Sequence, residues 1–448
     1  MSRPRRGRRG LAALAAVAGR AAAASLAAAA CSGPGARSTL PDSVRTRLVA
    51  LRDRHDYFEL RDRLAEREAA DGPWAVLLRA EVASAFGREA ASDSVLGLLD
   101  RRAWRGRPVP DTVRFEAALL RYRNDMRLYR FGDALADVRT LAASPLADSA
   151  TLTDRGIASD LPFVSALRDV PPQSVEARHG AVLHPEDGAI PVTIDGTPKR
   201  YVFDSGADFS VLMESEAREL GLEIRPTGGT VGSSTDLRVE SAVAVADRVE
   251  VGGATLRHVV FLVLPDSALT FPGQRIPGLL GFPVLRALGS VGFGRDGTVR
   301  VLAEPPSAPG GTMALDEYAL YAPVVLGGDT LACHLDTGSG TTVLLEPYYR
   351  QRRDRIDAAG RRDTATMGGA GGIRRLPVVR LPVGWLEVAG ARARLDTVKV
   401  YTRLLRPGSR DECLLGRDVL GQFGEYVLDF RDMALVLRDG EPGGGAGP

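Results

Sequence analysis

The hydrophobic pattern changes period partway along the chain. In the first third, Val44, Leu48 and Leu51 fall on one face of a helix. Further helical runs are predicted near 73–87, 91–103, 111–128 and 131–143. Turn signals at Asp71-Gly72-Pro73 and Arg107-Pro108-Val109-Pro110 separate them. Residues 41–170 are therefore read as an α-helical domain. Paired helices of this length point to a tetratricopeptide-like or other α-solenoid module, and a protein partner is the expected ligand of such a surface. The period is irregular, since Trp74 and Phe115 occupy similar helix positions 41 residues apart. Pro171-Pro172 opens a linker, and beyond it the pattern becomes strand, tight turn, strand.

That second pattern occurs twice. Ile190-Pro191-Val192-Thr193-Ile194-Asp195-Gly196 parallels Ala322-Pro323-Val324-Val325-Leu326-Gly327-Gly328. Pro191 and Pro323 each lie 13 residues before the Asp of a D-[ST]-G tripeptide, Asp204-Ser205-Gly206 and Asp336-Thr337-Gly338. The pairs Val211-Leu212 and Val343-Leu344 keep the same 132-residue offset. Leu279-Leu280-Gly281 then follows the first Asp, and Leu414-Leu415-Gly416 the second. Two copies of one unit are thus predicted, at 177–303 and 312–440, followed by a Gly/Pro-rich tail at 441–448.

A lone D-[ST]-G tripeptide often makes an ordinary turn. Two of them at the ends of matching strands place two carboxylates on matching loops. Such a pair shares one proton and holds one water, because like charges about 3 Å apart do not both ionise. Asp204 and Asp336 are the candidate catalytic residues.

With these motifs in place, the two units resemble retropepsin-like aspartic proteases, in particular bacterial two-copy members with an N-terminal helical extension. The resemblance rests on D-[ST]-G-[AS] and on the late apolar-apolar-Gly segments Leu280-Gly281 and Leu415-Gly416, with Gly416-Arg417-Asp418 close to the family's G-R-[DN]. It covers about 260 residues. It implies a multidomain α+β protein: an N-terminal α-helical, solenoid-like domain, then two β-rich retropepsin-like lobes forming a single-chain pseudo-dimer. It further implies a monomer acting on a peptide or protein substrate, with no cofactor. Ser205 and Thr337 are expected to hydrogen-bond across the lobe interface, and Gly206 and Gly338 to let the loops approach. The Ser339 hydroxyl, opposite Ala207 in the first copy, is expected to donate to the Asp336 carboxylate and leave the shared proton on Asp204.

Glycine-rich hairpins cover the substrate in this family. Gly228, Gly229 and Gly232 in the first unit, and Gly368, Gly369, Gly371 and Gly372 in the second, are the candidates. The family fold also brings the strands of Cys333 and Cys413 side by side; a disulfide and two buried free thiols are both open. His334 adjoins the strand of Asp336 and is expected to turn away from it in a structural role. The five His, at 55, 179, 184, 258 and 334, show no ligand spacing, and no metal site is expected.

Residues 1–9 hold five Arg and no acidic residue, and an Ala-rich apolar stretch then runs to Cys31. This order predicts a signal at 1–31 and lipidation of Cys31, hence a lipid-anchored protein of the bacterial cell envelope. Formal charge is +2, from 58 basic and 56 acidic side chains, so a nucleic-acid partner is not expected. Two functions remain in play. One is an exported aspartic endopeptidase; the other is a catalytically silent envelope lipoprotein binding peptides or partners in the same cleft.

Overall fold

The computed structural model describes residues 39–439 apart from 68–69, 101–102, 105–106, 233–234, 236 and 404–408. The signal segment, Cys31 and the tail 441–448 lie outside the described residues. Among the described residues, no helix is long and apolar enough to cross a membrane.

The protein is α+β. Among the described residues, eight α-helices come first: α1 Asp42–Asp53, α2 Tyr57–Ala65, α3 Pro73–Ala85, α4 Glu89–Leu96, α5 Asp111–Arg127, α6 Phe131–Ala142, α7 Ser149–Asp154 and α8 Ile157–Leu167. Asp56 caps α2 through the Glu59 N–H, and Asp148 caps α7 through the Thr151 N–H. Pro73 opens α3, where its missing N–H costs nothing. The central helix α3 is apolar nearly all round and packs on α2, α4 and α5.

Two eight-stranded sheets follow. The first contains β1 Ile190–Ile194, β2 Thr197–Phe203, β3 Ser210–Met213, β4 Arg225–Gly232, β5 Arg238–Val251, β6 Ala254–Leu264 and β7 Gly278–Leu280, with Ser174–Arg178 on its edge. It is followed by β8 Ser290–Gly294 and β9 Val299–Val301. The second contains β10 Ala319–Leu326, β11 Asp329–Leu335, β12 Val343–Leu344, β13 Arg361–Gly369, β14 Gly372–Val388, β15 Ala391–Tyr401 and β16 Cys413–Leu415, with Ala314–Asp316 on its edge. Then come β17 Glu425–Asp429 and β18 Ala434–Arg438.

Apart from the edge strands, which pair with β6 in the first sheet and with β10 in the second, the two sheets share their pairings. β1 pairs antiparallel with β2 and β5, and β10 with β11 and β14. The hairpins β4–β5 and β5–β6 correspond to β13–β14 and β14–β15. β7 runs parallel to β2 and antiparallel to β3, as β16 does to β11 and β12. β3 runs parallel to β6, and β12 to β15. A third sheet joins the halves: β8 pairs antiparallel with β17, flanked by β9 and β18. One apolar core runs through both lobes, from Ile194 and Leu256 to Leu335 and Val400.

A disulfide joins Cys333 on β11 to Cys413 on β16, whose Cα atoms are 4.6 Å apart. The first sheet has Tyr201 and Gly278 at the corresponding places; a Cβ on Gly278 would come within 2.8 Å of the Tyr201 ring. Each half thus fills the same gap in its own way.

The helices pack on the lobes. Phe163 of α8 lies 4.7 Å, ring to ring, from Phe209, which in turn lies 5.1 Å from Tyr318. Phe209, Val243 and Val260 of the first lobe share a core with Phe115, Phe131 and Leu167. Glu89 of α4, 2 % exposed, pairs with Arg286 at 2.7 Å. Burial alone would raise the Glu89 carboxyl, but Arg286 holds it below its ordinary value. Removing one partner of a buried pair costs about 3 kcal/mol or more. Arg286→Met is therefore expected to lower stability by that order at pH 7 in urea unfolding. Because the Glu89 carboxyl is depressed in the folded state, the loss should shrink as pH falls through its folded value, below about pH 4.

Candidate active site

Asp204 and Asp336 occupy matching places just past β2 and β11. The ladders continue into them: the Asp204 N–H donates to the Leu280 carbonyl at 3.0 Å, and the Asp336 N–H to the Leu415 carbonyl at 3.1 Å. The two loops then meet at the lobe interface. The Ser205 N–H donates to Thr337 Oγ1, and the Thr337 N–H to Ser205 Oγ, both at 3.0 Å. Ser205 Oγ donates in turn to the Leu335 carbonyl at 2.9 Å. Both side chains are buried. A hydrogen bond shielded from water in this way is costly to leave unmade, so the loops are held in one register.

Each Asp faces the glycine of the other loop. A Cβ on Gly206 would lie 2.6 Å from Asp336 Cγ, and one on Gly338 would lie 2.6 Å from Asp204 Cγ. No side chain larger than hydrogen fits while the carboxyls keep their places. The late glycines act one layer behind. A Cβ on Gly281 would meet the Phe209 carbonyl oxygen at 2.4 Å, and one on Gly416 the Thr341 carbonyl carbon at 2.7 Å. Their N–H groups donate to Ser210 Oγ and Thr342 Oγ1. The residues after them close the loops from below: the Phe282 N–H donates to the Ala207 carbonyl, and the Arg417 N–H to that of Ser339.

The carboxyls are not equivalent. Asp204 Oδ1 accepts the Gly206 N–H at 2.9 Å. Asp336 Oδ1 accepts two, from Gly338 at 2.8 Å and Ser339 at 3.0 Å. Asp204 is pushed up to about 7, first by burial and then by the negative charge of Asp336, with a hydrogen bond between the carboxyls adding to the rise. Burial and the neighbouring charge thus favour the protonated form of Asp204. The expected hydroxyl contact is corrected: Ser339 Oγ donates to the Thr341 carbonyl at 3.0 Å, and it is the Ser339 backbone N–H that reaches Asp336. A short loop turn satisfies the hydroxyl locally before it can reach the carboxylate.

The glycine-rich segments divide. Gly371 and Gly372, both at positive φ, turn the β13–β14 hairpin, with Gly368 and Gly369 at the end of β13. This tip reaches the first lobe, where the Gly371 N–H donates to the Ala268 carbonyl at 2.9 Å and Ala370 packs against the cluster that holds Ala268, Leu269 and Leu279. In the first lobe Gly232 ends β4 near its tip, but Gly228 and Gly229 do not reach it. They form a register shift within β4, and a Cβ on Gly229 would lie 3.6 Å from Pro162 of α8. The motif reading missed this because a bulge and a tip both favour glycine.

His334 also departs from expectation. Residues i and i+2 of a strand share a face, so His334 lies on the same side of β11 as Asp336. Its neighbours Cys333 and Leu335 point the other way, into the core.

Residues 190–284 match the family model described as Aspartyl protease. That span runs from β1 through the Asp204 loop to the segment after Gly281, so the similarity to aspartyl proteases covers the first lobe and the late glycine segment that follows it. No curated protein matches the chain. Among solved structures, a retropepsin-like aspartic protease from Rickettsia conorii is similar at 16% identity, covering 28% of this chain and 92% of that one, with a TM-score of 0.21.

Two outcomes follow from the geometry. An Asp whose folded value is raised contributes stability that is complete below its unfolded value, about pH 4, and is lost as pH rises through 7. Asp204→Asn removes that loss; its melting temperature should exceed that of the wild type at pH 8, by the equivalent of about 2–4 kcal/mol, and the advantage should fade by pH 4. Gly338→Ala should lower stability by about 1–3 kcal/mol in chemical unfolding, because its methyl group needs the space of the Asp204 carboxyl.

Proposed function

We propose that the protein is an aspartic endopeptidase whose two lobes act as a single-chain pseudo-dimer, with Asp204 and Asp336 as the catalytic pair. One observation carries the reading: two carboxyls on reciprocally locked loops, each lying against the glycine of the other loop. In the proposed step the Asp336 carboxylate takes a proton from a water held between the pair. The hydroxide so formed attacks the peptide carbonyl, while Asp204 donates its hydrogen bond to the carbonyl oxygen. Collapse of the tetrahedral species expels the amine, which takes up the proton. The β4–β5 and β13–β14 hairpins close over an extended peptide, and backbone contacts with it are the expected mode of binding.

Export through the segment 1–31, with a lipid on Cys31, remains the proposed address, and it is argued from sequence order alone. The helical region is proposed as a solenoid-like layer. Its packing against Phe209 and β4 supports a role in holding the peptidase together, in addition to any partner it binds.

The test is hydrolysis of a mixed peptide library by the mature protein. Cleavage of internal peptide bonds is expected, with activity falling as pH rises through about 7, where Asp204 loses its proton. Asp204→Asn and Asp336→Asn should each reduce kcat by about 10³-fold or more. Undiminished cleavage by either variant would exclude the proposed pair.

A further inference from the structure

We propose that His334 selects the substrate, giving the cleft one apolar wall and one hydrogen-bonding wall. This rests on the peptidase reading above. The two lobes hold corresponding residues two positions before each Asp, Val202 on β2 and His334 on β11. Alternation puts each on the same strand face as its Asp. Each also has a Leu beside it on the parallel strand: Leu279 next to Val202, Leu414 next to His334.

These faces are the ones the hairpins cover. Val202, together with Val231 and Val239 of the β4–β5 hairpin and Ala370 of the other, packs against the cluster that holds Leu279. Leu414 packs with Ala365, Met367 and Leu376 of the β13–β14 hairpin. His334 is therefore placed under the second hairpin as Val202 is under the first. The first wall is wholly aliphatic, and the second carries an imidazole.

That imidazole has a need the protein does not meet. His334 Nε2 is buried and has no hydrogen-bond partner. The nearest ring, Tyr321, is 5.6 Å away and tilted by 32°, and its hydroxyl is engaged by Asp411 at 2.5 Å. Buried polar atoms are almost always paired, and an exception calls for an absent partner. Nothing in the strand requires His here, since Val fills the matching place in the first lobe. A substrate side chain lying beside Asp336 supplies the partner if it ends in a carbonyl or carboxylate oxygen, which accepts the imidazole N–H. Asn, Gln, Asp and Glu form that class. On the other side of the scissile bond, the Val202 wall takes an aliphatic or aromatic side chain. A site built to hydrogen-bond its substrate discriminates more sharply against an apolar analogue than an apolar pocket does between two hydrocarbons.

The experiment compares kcat/KM for two otherwise identical peptide series cleaved by the mature wild type, His334→Leu and His334→Gln. One series carries an apolar residue on both sides of the scissile bond. The other carries Gln or Glu on one side, tried in each position, and the Gln and Glu arms separate carboxamide from carboxylate. The wild type should favour one oxygen-bearing series by about tenfold or more. His334→Leu should reverse that preference while still cleaving the all-apolar peptide, and His334→Gln, which keeps a donor, should retain part of it. The same preference in wild type and His334→Leu, with both variants folded, would overturn the assignment of His334 and leave the peptidase reading standing. Absence of any Asp204-dependent cleavage by the wild type would overturn both.

Discussion

Everything at the site depends on a pair of hydrogen bonds that neither lobe can make alone. The Ser205 and Thr337 hydroxyls each accept the other loop's N–H in a buried interface. Exchange of this kind fixes distance and angle together, so each carboxyl lies over the opposite glycine at a spacing that excludes a methyl group. The electrostatics follow from that spacing. Burial and the charge of Asp336 raise the Asp204 carboxyl, and Asp336 accepts one more N–H, from Ser339, than its counterpart does. A loose interface would leave two ordinary solvated acids.

Duplication within one chain makes this asymmetry possible. A twofold pair of identical chains must carry the same residue at both copies of every position. Here the halves keep the pairings of their seven central strands, and differ in the edge strand and where side chains fill space. Cys333–Cys413 stands where the first lobe has Tyr201 against Gly278, and His334 stands where it has Val202. The backbone interactions that set the geometry are common to both halves, and the divergence is in the packing.

The sequence made the Asp loops legible because their constraints are local and steric. A strand, an Asp, a small hydroxyl residue and a glycine are needed in that order, and the order appears twice at a fixed spacing. The late glycines were legible for the same reason. Other features turned on long-range placement. Gly228-Gly229 reads as a hairpin tip but is a bulge against Pro162 of α8, a contact between segments that no local pattern links. The Ser339 hydroxyl was assigned to the carboxylate on proximity in sequence, and the turn at Thr341 captured it. His334 was misjudged on period alone, since two residues along a strand returns to the same face. The helices themselves were readable from spacing, but their seating on Phe209 and Arg286 was not.

That seating has a temporal side. The helices precede the lobes along the chain, yet their cores are completed by residues made much later. Ala314 closes the cluster around Leu48 and Leu60, and Asp316 meets His55 across 261 residues of chain. Phe209, Val243 and Val260 do the same for the cluster around Phe131. Contacts of such sequence separation are slow to form, because the intervening chain must be ordered first. The helical layer therefore stays unfinished, with apolar surface uncovered, until the segment around Ala314 and Asp316 has been synthesised, and the helices and lobes mature together instead of module by module.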